Sequence, residues 1–212
     1  MNKVVIKLNN VTFAYPGGQP VLRNINLEVK QGDYMVILGA NGSAKTTLLK
    51  IMLGLLKPQQ GSLELPGPAK GQAIAYIPQK ASGINPGFPA TVEEIVNLNI
   101  PSHSKDRKQL VKNALEMVGL WEKRKQLLGT LSGGQMQKVM IARSIVVSPV
   151  VLFLDEPNTG LDAASQSEFM DLIRRLNENG LTVVMVTHNL EQVAKQANRF
   201  LYLHNGQLKE SD

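Results

Sequence analysis

Cysteine is absent from the chain, aromatic side chains make up only 5% of it, and its apolar runs are short. The missing cysteine excludes disulfide bonds, a cysteine nucleophile and thiolate metal sites. The scarcity of aromatic residues favours an aliphatic core, which is typical of buried parallel strands. The most apolar stretch, residues 145–154, is far shorter than the ~20 residues of a membrane-spanning helix. We therefore expect neither a membrane crossing nor a targeting segment.

The composition that remains is that of a folded, basic protein. The 212 residues suffice for one domain, and 43% of them are hydrophobic, which excludes a mainly disordered chain. The net charge of +6 is uneven, because residues 101–130 hold seven basic and three acidic side chains. This segment is either a solvated helical face or a surface near anionic lipid or an acidic partner. Its one aromatic residue, Trp121, offers no stacking platform, so we expect no nucleic-acid partner.

The hydrophobic pattern predicts an α/β protein. Alternating residues predict half-exposed strands, and short continuous apolar runs predict buried ones. The predicted strands are residues 4–8, 22–29, 34–38, 61–65, 73–77, 150–154 and 182–187, with a terminal hairpin at 200–209. The predicted helices are residues 46–56, 91–98, 104–118, 162–177 and 190–197, and residues 80–90 are predicted as a loop. Strand–helix alternation in the last third predicts parallel strands with crossover helices.

A glycine-rich segment, GANGSAKT at positions 39–46, follows a buried strand and opens a helix. A phosphate-binding loop requires this context, because backbone N–H groups and the helix N-terminus bind the phosphates. Lys45 then reaches the β- and γ-phosphates, and the Thr46 hydroxyl binds Mg²⁺. The nucleotide-binding residues predicted in this segment are Gly39, Asn41, Gly42, Ser43, Ala44, Lys45, Thr46 and Thr47.

Ala44 departs from the phosphate-loop pattern, which has glycine at this position. If the position requires a positive φ, alanine costs about 1–2 kcal/mol, or roughly 5–30-fold in affinity. If the position requires only a small side chain, the loss is mild. Both alternatives are open, and the first describes a protein that binds or hydrolyses nucleotide weakly.

Two carboxylates, Asp155 and Glu156, end the apolar strand at 150–154. A strand of this kind delivers Asp155 to the Mg²⁺ beside the phosphate loop. Glu156, one residue further, is placed to polarise the attacking water as a general base.

The segment LSGGQ at positions 131–135 precedes a helical pattern and predicts a second anion site at a helix N-terminus. A single γ-phosphate does not need two such sites in one chain. A head-to-tail dimer explains both, with the LSGGQ of each copy closing over the nucleotide of the other. The residues in this role are Ser132, Gly133, Gly134 and Gln135.

With these motifs in this order, nearly the whole chain resembles the ATP-binding-cassette (ABC) ATPases. The resemblance implies one ABC ATPase domain over residues 1–212, with a P-loop NTPase core of the α/β class. Its sheet is mixed and mainly parallel with flanking helices, and an antiparallel β subdomain lies at the N-terminus. A small α-helical subdomain is expected at about residues 80–145.

The resemblance also assigns roles to residues outside the loop. It implies that Tyr15 stacks on adenine. Without the resemblance, a packing role for this tyrosine would be equally expected. Gln79 matches the glutamine that senses Mg²⁺ and the membrane partner. Without the resemblance, it would be interpreted as a solvated loop residue. Asp162 matches the acidic position of a loop at the dimer interface. His188 matches the histidine that contacts the γ-phosphate. The implied catalytic residues are Lys45, Gln79, Glu156 and His188, and the implied Mg²⁺ ligands are Thr46, Gln79 and Asp155.

The function implied by the resemblance is ATP hydrolysis that drives transport. ATP and Mg²⁺ are the expected ligands, and the expected partners are a second copy, a separate permease and a substrate-binding protein. The expected location is peripheral, at the cytoplasmic face of the cell membrane. Residues 87–95 resemble the corresponding segment of zinc- and manganese-uptake ATPases, which favours metal import. The alternatives are an importer of another substrate, or a weakly active nucleotide-sensing cassette because of Ala44.

Overall fold

The computed structural model describes residues 3–65, 73–79, 88–190, 193–194 and 197–210. The described residues form nine strands and five α-helices. The strands are β1 (Val4–Phe13), β2 (Leu22–Lys30), β3 (Tyr34–Leu38), β4 (Gln60–Glu64), β5 (Ile74–Ile77), β6 (Val151–Asp155), β7 (Thr182–Thr187), β8 (Arg199–His204) and β9 (Gln207–Glu210). The helices are α1 (Lys45–Met52), α2 (Val92–Asn97), α3 (Arg107–Met117), α4 (Gly133–Ile145) and α5 (Ala163–Glu178). Within these ranges, no helix has the length and apolar character needed to span a membrane.

Two sheets organise the chain. The larger one has the order β5-β6-β7-β3-β8-β9, and all its pairs are parallel except the terminal hairpin of β8 and β9. The smaller one is antiparallel, with the order β2-β1-β4. The prediction of a mixed, mainly parallel sheet with an N-terminal antiparallel unit is therefore confirmed.

The core lies on both faces of the larger sheet, because successive strand residues point to opposite sides. Val36 and Leu154 face α2, α3, α4 and α5 in one apolar cluster. Ile37 and Phe153 face α1 and the antiparallel sheet in the other. Since β3, β6 and β7 are buried along their whole length, they read as continuous apolar runs in the sequence.

The parallel register brings the functional motifs to one edge of the larger sheet. Leu38, the last residue of β3, pairs with Thr187 at the end of β7, and Asp155 at the end of β6 pairs with Val186. The segments that follow these three strands therefore meet at the carboxyl edge, where α/β proteins bind their ligands.

Several elements differ from the sequence prediction in length, and the backbone explains two of these differences. Strand β1 continues past residue 8 to Phe13, because Asn10 takes a positive φ of 50° and forms a bulge rather than a turn. Helix α1 ends at Met52 rather than at residue 56. Gly54, with φ of 72°, ends it in the left-handed conformation, and its N–H donates to the carbonyl of Ile51.

Helices α2, α3 and α4 share one apolar cluster. Thr91 is the N-cap of α2, because its Oγ1 accepts from the Glu94 N–H and the Glu94 carboxylate accepts from the Thr91 N–H. Residues 80–87 of the predicted loop lie outside the described residues, as do 191–192 and 195–196 of the predicted helix at 190–197. The helical subdomain at about 80–145 stays a prediction.

Candidate nucleotide site

The glycine-rich loop connects β3 to α1 and wraps around the end of the Lys45 side chain. Lys45 is buried, and its Nζ donates to the carbonyl oxygens of Gly39 at 2.8 Å and Ala40 at 3.1 Å. Gly39 has no space for a side chain, since a Cβ there would lie 2.5 Å from Ser43 Oγ and 2.6 Å from the Leu203 carbonyl oxygen. The loop thus closes tightly on the end of β8.

Ala44 immediately precedes α1 and lies in the left-handed region, with φ of 73° and ψ of 22°. This is the first of the two alternatives considered for this residue. Because alanine is strained in this conformation, we expect its main cost in the stability of the fold rather than in nucleotide affinity.

Asp155 is buried at the end of β6, and each of its carboxylate oxygens accepts a hydrogen bond. Thr46 Oγ1 donates to Oδ1 at 3.2 Å, and the Tyr76 hydroxyl donates to Oδ2 at 3.4 Å. Burial raises the pKa of Asp155, and the two hydrogen bonds partly oppose that increase. Burial, with the nearby Asp155 charge, also raises the pKa of Tyr76 to about 12, so the phenol stays a donor at neutral pH.

Glu156 connects the three motifs at the carboxyl edge of the sheet. Its Oε1 lies 3.6 Å from Lys45 Nζ, and its Oε2 lies 2.9 Å from His188 Nδ1 and 3.3 Å from Thr187 Oγ1. The Glu156 backbone has a positive φ of 46°, an uncommon conformation for a glutamate and one found at functional sites. The Glu156 and Lys45 side chains are buried, whereas the His188 side chain is 55% exposed and open to a ligand.

Tyr15 lies beside the start of α1 and is partly exposed. Its ring meets Phe13 edge-on at 5.1 Å between centroids, and its hydroxyl lies 3.0 Å from Thr47 Oγ1. Its relative exposure of 45% leaves a flat aromatic surface for stacking.

One cleft of about 350 Å³ joins Tyr15, Lys45 and Glu156, whereas Asp155 and His188 are not among its lining residues. That volume falls in the usual range for small-molecule sites. The lining residues include predicted members of the site from the loop and from three other segments. They are Tyr15, Val21, Asn41, Gly42, Ala44, Lys45, Thr46, Thr47, Gln79 and Glu156.

The LSGGQ residues lie at the start of α4 and are not among the residues that line this cleft. Ser132 is the N-cap of α4. Its Oγ accepts from the Gln135 N–H at 3.3 Å, and Gln135 Oε1 accepts from the Ser132 N–H at 3.2 Å. Gly134 packs against α5 so closely that a Cβ would lie 2.9 Å from Ser165 Oγ. The start of α4, which is the predicted second anion site, therefore does not line this cleft of its own chain.

Asp162 caps α5 beside LSGGQ and is likewise absent from the cleft lining. Its carboxylate accepts from the Ser165 N–H at 3.0 Å and the Ser165 hydroxyl at 2.7 Å. These hydrogen bonds to Ser165 lower the pKa of Asp162. Since Gly134 and Asp162 both contact Ser165, the two predicted dimer-interface segments form one packed unit.

Sequence reasoning missed three residues that support the site. Tyr76 and Thr187 bond the two carboxylates, and the buried Gln137 donates to the Pro157 carbonyl oxygen at 2.9 Å, which ties α4 to the segment after Glu156. The sequence signal that could have indicated these residues is a polar side chain within an otherwise apolar strand or helix face. That signal alone does not identify the partner.

The comparisons with known proteins agree with this geometry. A family model described as "ABC transporter" matches residues 22–159, and one described as an AAA domain matches residues 125–194. The zinc transport system ATP-binding protein AdcC of Streptococcus pneumoniae is 38% identical, over 95% of this chain and 91% of its own length. The manganese transport system ATP-binding protein MntB of Listeria monocytogenes is 36% identical, over 94% of this chain and 86% of its own. The structure of cbiO1 from Clostridium perfringens, part of the ABC transporter complex cbiONQ, has a TM-score of 0.89 at 27% identity and covers 99% of this chain and 88% of that one.

Proposed function

The chain belongs to the ABC transporter family of ATPases, and from that premise we propose that it is the ATP-hydrolysing subunit of an importer of divalent metal ions such as zinc or manganese. The observation that carries the catalytic part is the contact of Lys45, Glu156 and His188 at the edge of one cleft. The metal part is supported by similarity, over nearly the whole chain, to zinc and manganese transport ATP-binding proteins.

ATP would lie with its adenine on the exposed face of Tyr15 and its phosphates against residues 39–46. The Lys45 ammonium, which binds the loop carbonyls in the free chain, would turn to the β- and γ-phosphates. The same movement would release Oε1 of Glu156 from Lys45. Nucleotide binding would thus free the carboxylate oxygen that the reaction needs.

The residues around Asp155 fit a Mg²⁺ ion. Its carboxylate and the Thr46 hydroxyl supply hard oxygen ligands 3.2 Å apart, and Gln79 lines the cleft together with Thr46. Burial raises the pKa of Asp155, and a cation bound there would favour its charged form. Mg²⁺, when bound with ATP, supplies positive charge that neutralises the phosphate oxygens. Thr46, Gln79 and Asp155 are the residues that would hold it.

Glu156 would act as the general base. Its carboxylate would take a proton from a water molecule while the water oxygen attacks the γ-phosphorus. The bond between that phosphorus and the β–γ bridging oxygen would break, leaving ADP and phosphate. His188, held by Glu156 Oε2 and partly exposed, would hydrogen-bond the γ-phosphate, and the buried Thr187 hydroxyl would fix the carboxylate.

In the proposed transporter, the chain has two direct partners at the cytoplasmic face of the membrane. A second copy of the chain would supply LSGGQ and the Asp162 loop to the open side of the cleft. A separate permease, served by a substrate-binding protein, would dock beside α2. There Phe88 is 54% exposed and Leu127 is 49% exposed, and the hydrogen bond from the Leu128 N–H to the Ala90 carbonyl holds their segments together.

Replacing the general base tests the catalytic proposal. In Glu156→Gln, the amide cannot accept the proton, so turnover is expected to fall by about 10²–10⁴-fold while ATP affinity stays within a few-fold. Steady-state phosphate release and fluorescent-nucleotide titration measure the two quantities. Glu122→Gln, an exposed acid-to-amide change in the basic segment, serves as the matched control and is expected to behave like the unsubstituted chain. Near-normal hydrolysis by Glu156→Gln would overturn the assignment.

The same variant tests the transport proposal, because it would hold ATP without releasing it. Affinity-tagged Glu156→Gln, purified from its own cells with ATP present, is expected to retain a membrane protein that mass spectrometry identifies. A permease whose transport assay responds to zinc or manganese supports the metal assignment. A permease that carries only an organic substrate contradicts that assignment and leaves the ATPase assignment standing.

A further inference from the structure

Tyr76 contacts the predicted Mg²⁺ site, although it is not one of the predicted ligands. It lies on β5 and pairs in parallel register with Phe153 on β6, two residues before Asp155. Its hydroxyl reaches Asp155 Oδ2 at 3.4 Å, while Thr46 occupies Oδ1 at 3.2 Å. The carboxylate is thus held from two sides by groups on different elements.

We propose that Tyr76 is a positioning residue, whose hydroxyl fixes the orientation of the Asp155 carboxylate toward the Mg²⁺ that accompanies ATP. The proposal rests on the proposed function, since it requires metal-bound ATP at Asp155. According to this proposal, the edge strand β5 contributes a hydrogen bond to the metal site in addition to its packing in the sheet.

The contact uses properties that a tyrosine combines. The phenol is protonated at neutral pH, since its ordinary pKa is about 10, and it can donate to a carboxylate without adding charge. The half-buried ring packs against the apolar cluster below β5, and this packing limits the movement of the hydroxyl. A lysine in the same place would compete with the cation, and a phenylalanine would leave Oδ2 of a buried carboxylate without a donor.

An oriented carboxylate matters more for Mg²⁺ than for most cations. Mg²⁺ demands near-ideal octahedral geometry, so a ligand that rotates freely loses affinity. Groups that hold the first ligands of a metal in place are known to affect metal affinity strongly. Loss of the Tyr76 hydroxyl should therefore weaken metal-dependent nucleotide binding and leave metal-free binding unchanged.

The test compares nucleotide binding with and without Mg²⁺ in the same sample. The Tyr76→Phe variant keeps the ring and removes only the hydroxyl. We expect it to bind a non-hydrolysable ATP analogue about 3- to 10-fold more weakly in Mg²⁺, the effect of one hydrogen bond. In EDTA its affinity should match that of the unsubstituted chain. Because the ratio of the affinities with and without Mg²⁺ is measured on one preparation, a fraction of unfolded protein affects both affinities equally.

Two further variants separate the possible outcomes. Tyr202→Phe removes the hydroxyl of a partly exposed tyrosine on β8 and should leave both affinities unchanged. Asp155→Asn should abolish the dependence on Mg²⁺. If Asp155→Asn retains that dependence, the proposed metal site is wrong. If Asp155→Asn loses it while Tyr76→Phe shows no effect, or equal effects with and without Mg²⁺, the role of Tyr76 is overturned and the metal site stands.

Discussion

Two residues next to the cleft, Ala44 and Glu156, have backbone conformations that their side chains disfavour. For Glu156 the conformation turns the carboxylate toward Lys45 and His188. For Ala44 it lets the last turn of the loop enter α1. In both cases the strain belongs to the folded structure, so we expect its cost to appear in stability.

Ala44→Gly should stabilise the fold without strongly changing nucleotide binding. Relief of about 1–2 kcal/mol of backbone strain is partly offset by the greater freedom of glycine in the unfolded chain, which leaves about 0.5–1 kcal/mol. We expect Tm to rise by about 1–4 °C in thermal unfolding.

Ala40→Gly is the matched control for that change, because Ala40 is not among the residues with positive φ. It should bring no stabilisation. In the same titrations, the affinity of Ala44→Gly for ATP should change by less than roughly threefold. A large gain in ATP affinity at constant Tm would mean that the methyl group crowds the phosphates instead.

The residue types of the site were predictable, whereas their contacts were not. Lys45, Asp155 and Glu156 stand out because they follow apolar strands in patterns that bind phosphate and metal. The contacts of Glu156 with Lys45 and His188 depend on the order of strands in the sheet, which local patterns do not encode. The Tyr76 hydroxyl bond was missed for the same reason, since β5 and β6 are far apart in sequence.

Among the elements, the terminal hairpin is joined to the rest of the molecule by Arg199 on β8. Its guanidinium contacts Asp33 Oδ2 at 2.6 Å, Glu210 Oε1 at 2.7 Å and the carbonyl oxygen of Glu28 on β2 at 2.8 Å. The hydrogen bonds to Arg199 lower the pKa of Glu210. This network links β8 and β9 to β2 and to the turn before β3.

The pH dependence of this network follows from the direction of the shift. A carboxylate whose pKa is lower in the folded state contributes stability above its ordinary pKa of 4.5, and that stability is lost as the pH falls through the folded value. Glu210→Gln should therefore lower Tm by about 1–3 °C at neutral pH, the effect of a partly exposed ion pair.

The difference in Tm between Glu210→Gln and the unsubstituted chain should vanish in acid, below the folded pKa of Glu210. Glu116→Gln is the control, because its pair with Lys112 on α3 is long, at 3.7 Å, and exposed. It should change Tm by less than about 1 °C. A Glu210→Gln difference that persists at low pH would show that the charge of Glu210 is not responsible.

Buried parallel strands were predicted most accurately among the elements. Residues 34–38 and 182–187 match β3 and β7 to the residue, since full burial produces an uninterrupted apolar run. Ends set by backbone conformation were less predictable. Asn10 continues a strand through a bulge where its residue type suggests a turn, and Gly54 ends α1 inside an apolar segment.

For the whole molecule, the absence of LSGGQ from the cleft lining fits the proposal that two chains form each site. The proposed head-to-tail pair gives a specific result when two defective variants are mixed. Lys45→Ala destroys the cleft of its own chain, and Ser132→Arg destroys the surface it offers to a partner. Each alone should be inactive. Their heterodimer has one site with a normal cleft and a normal LSGGQ, so an equal mixture should recover roughly a quarter of normal hydrolysis.

The control for that mixture is Lys45→Ala with Glu156→Gln, since both changes lie in the cleft. Every site in their heterodimer carries one defect, and no recovery of phosphate release is expected. Recovery in this control, or none in the Lys45→Ala and Ser132→Arg mixture, would contradict the head-to-tail arrangement.

The strand order of the larger sheet also determines when the site can form during folding. β3, which leads into the phosphate loop, lies between β7 and β8, with Tyr34 opposite Val183 and Met35 opposite Arg199. On the ribosome, β3 would emerge long before either neighbour, whereas β1 and β2 pair locally and can fold early. Contacts over such sequence distances make folding slow. A nascent chain that ends before β7 would therefore lack the nucleotide cleft, and ATP could stabilise the protein only in the last stage of its folding.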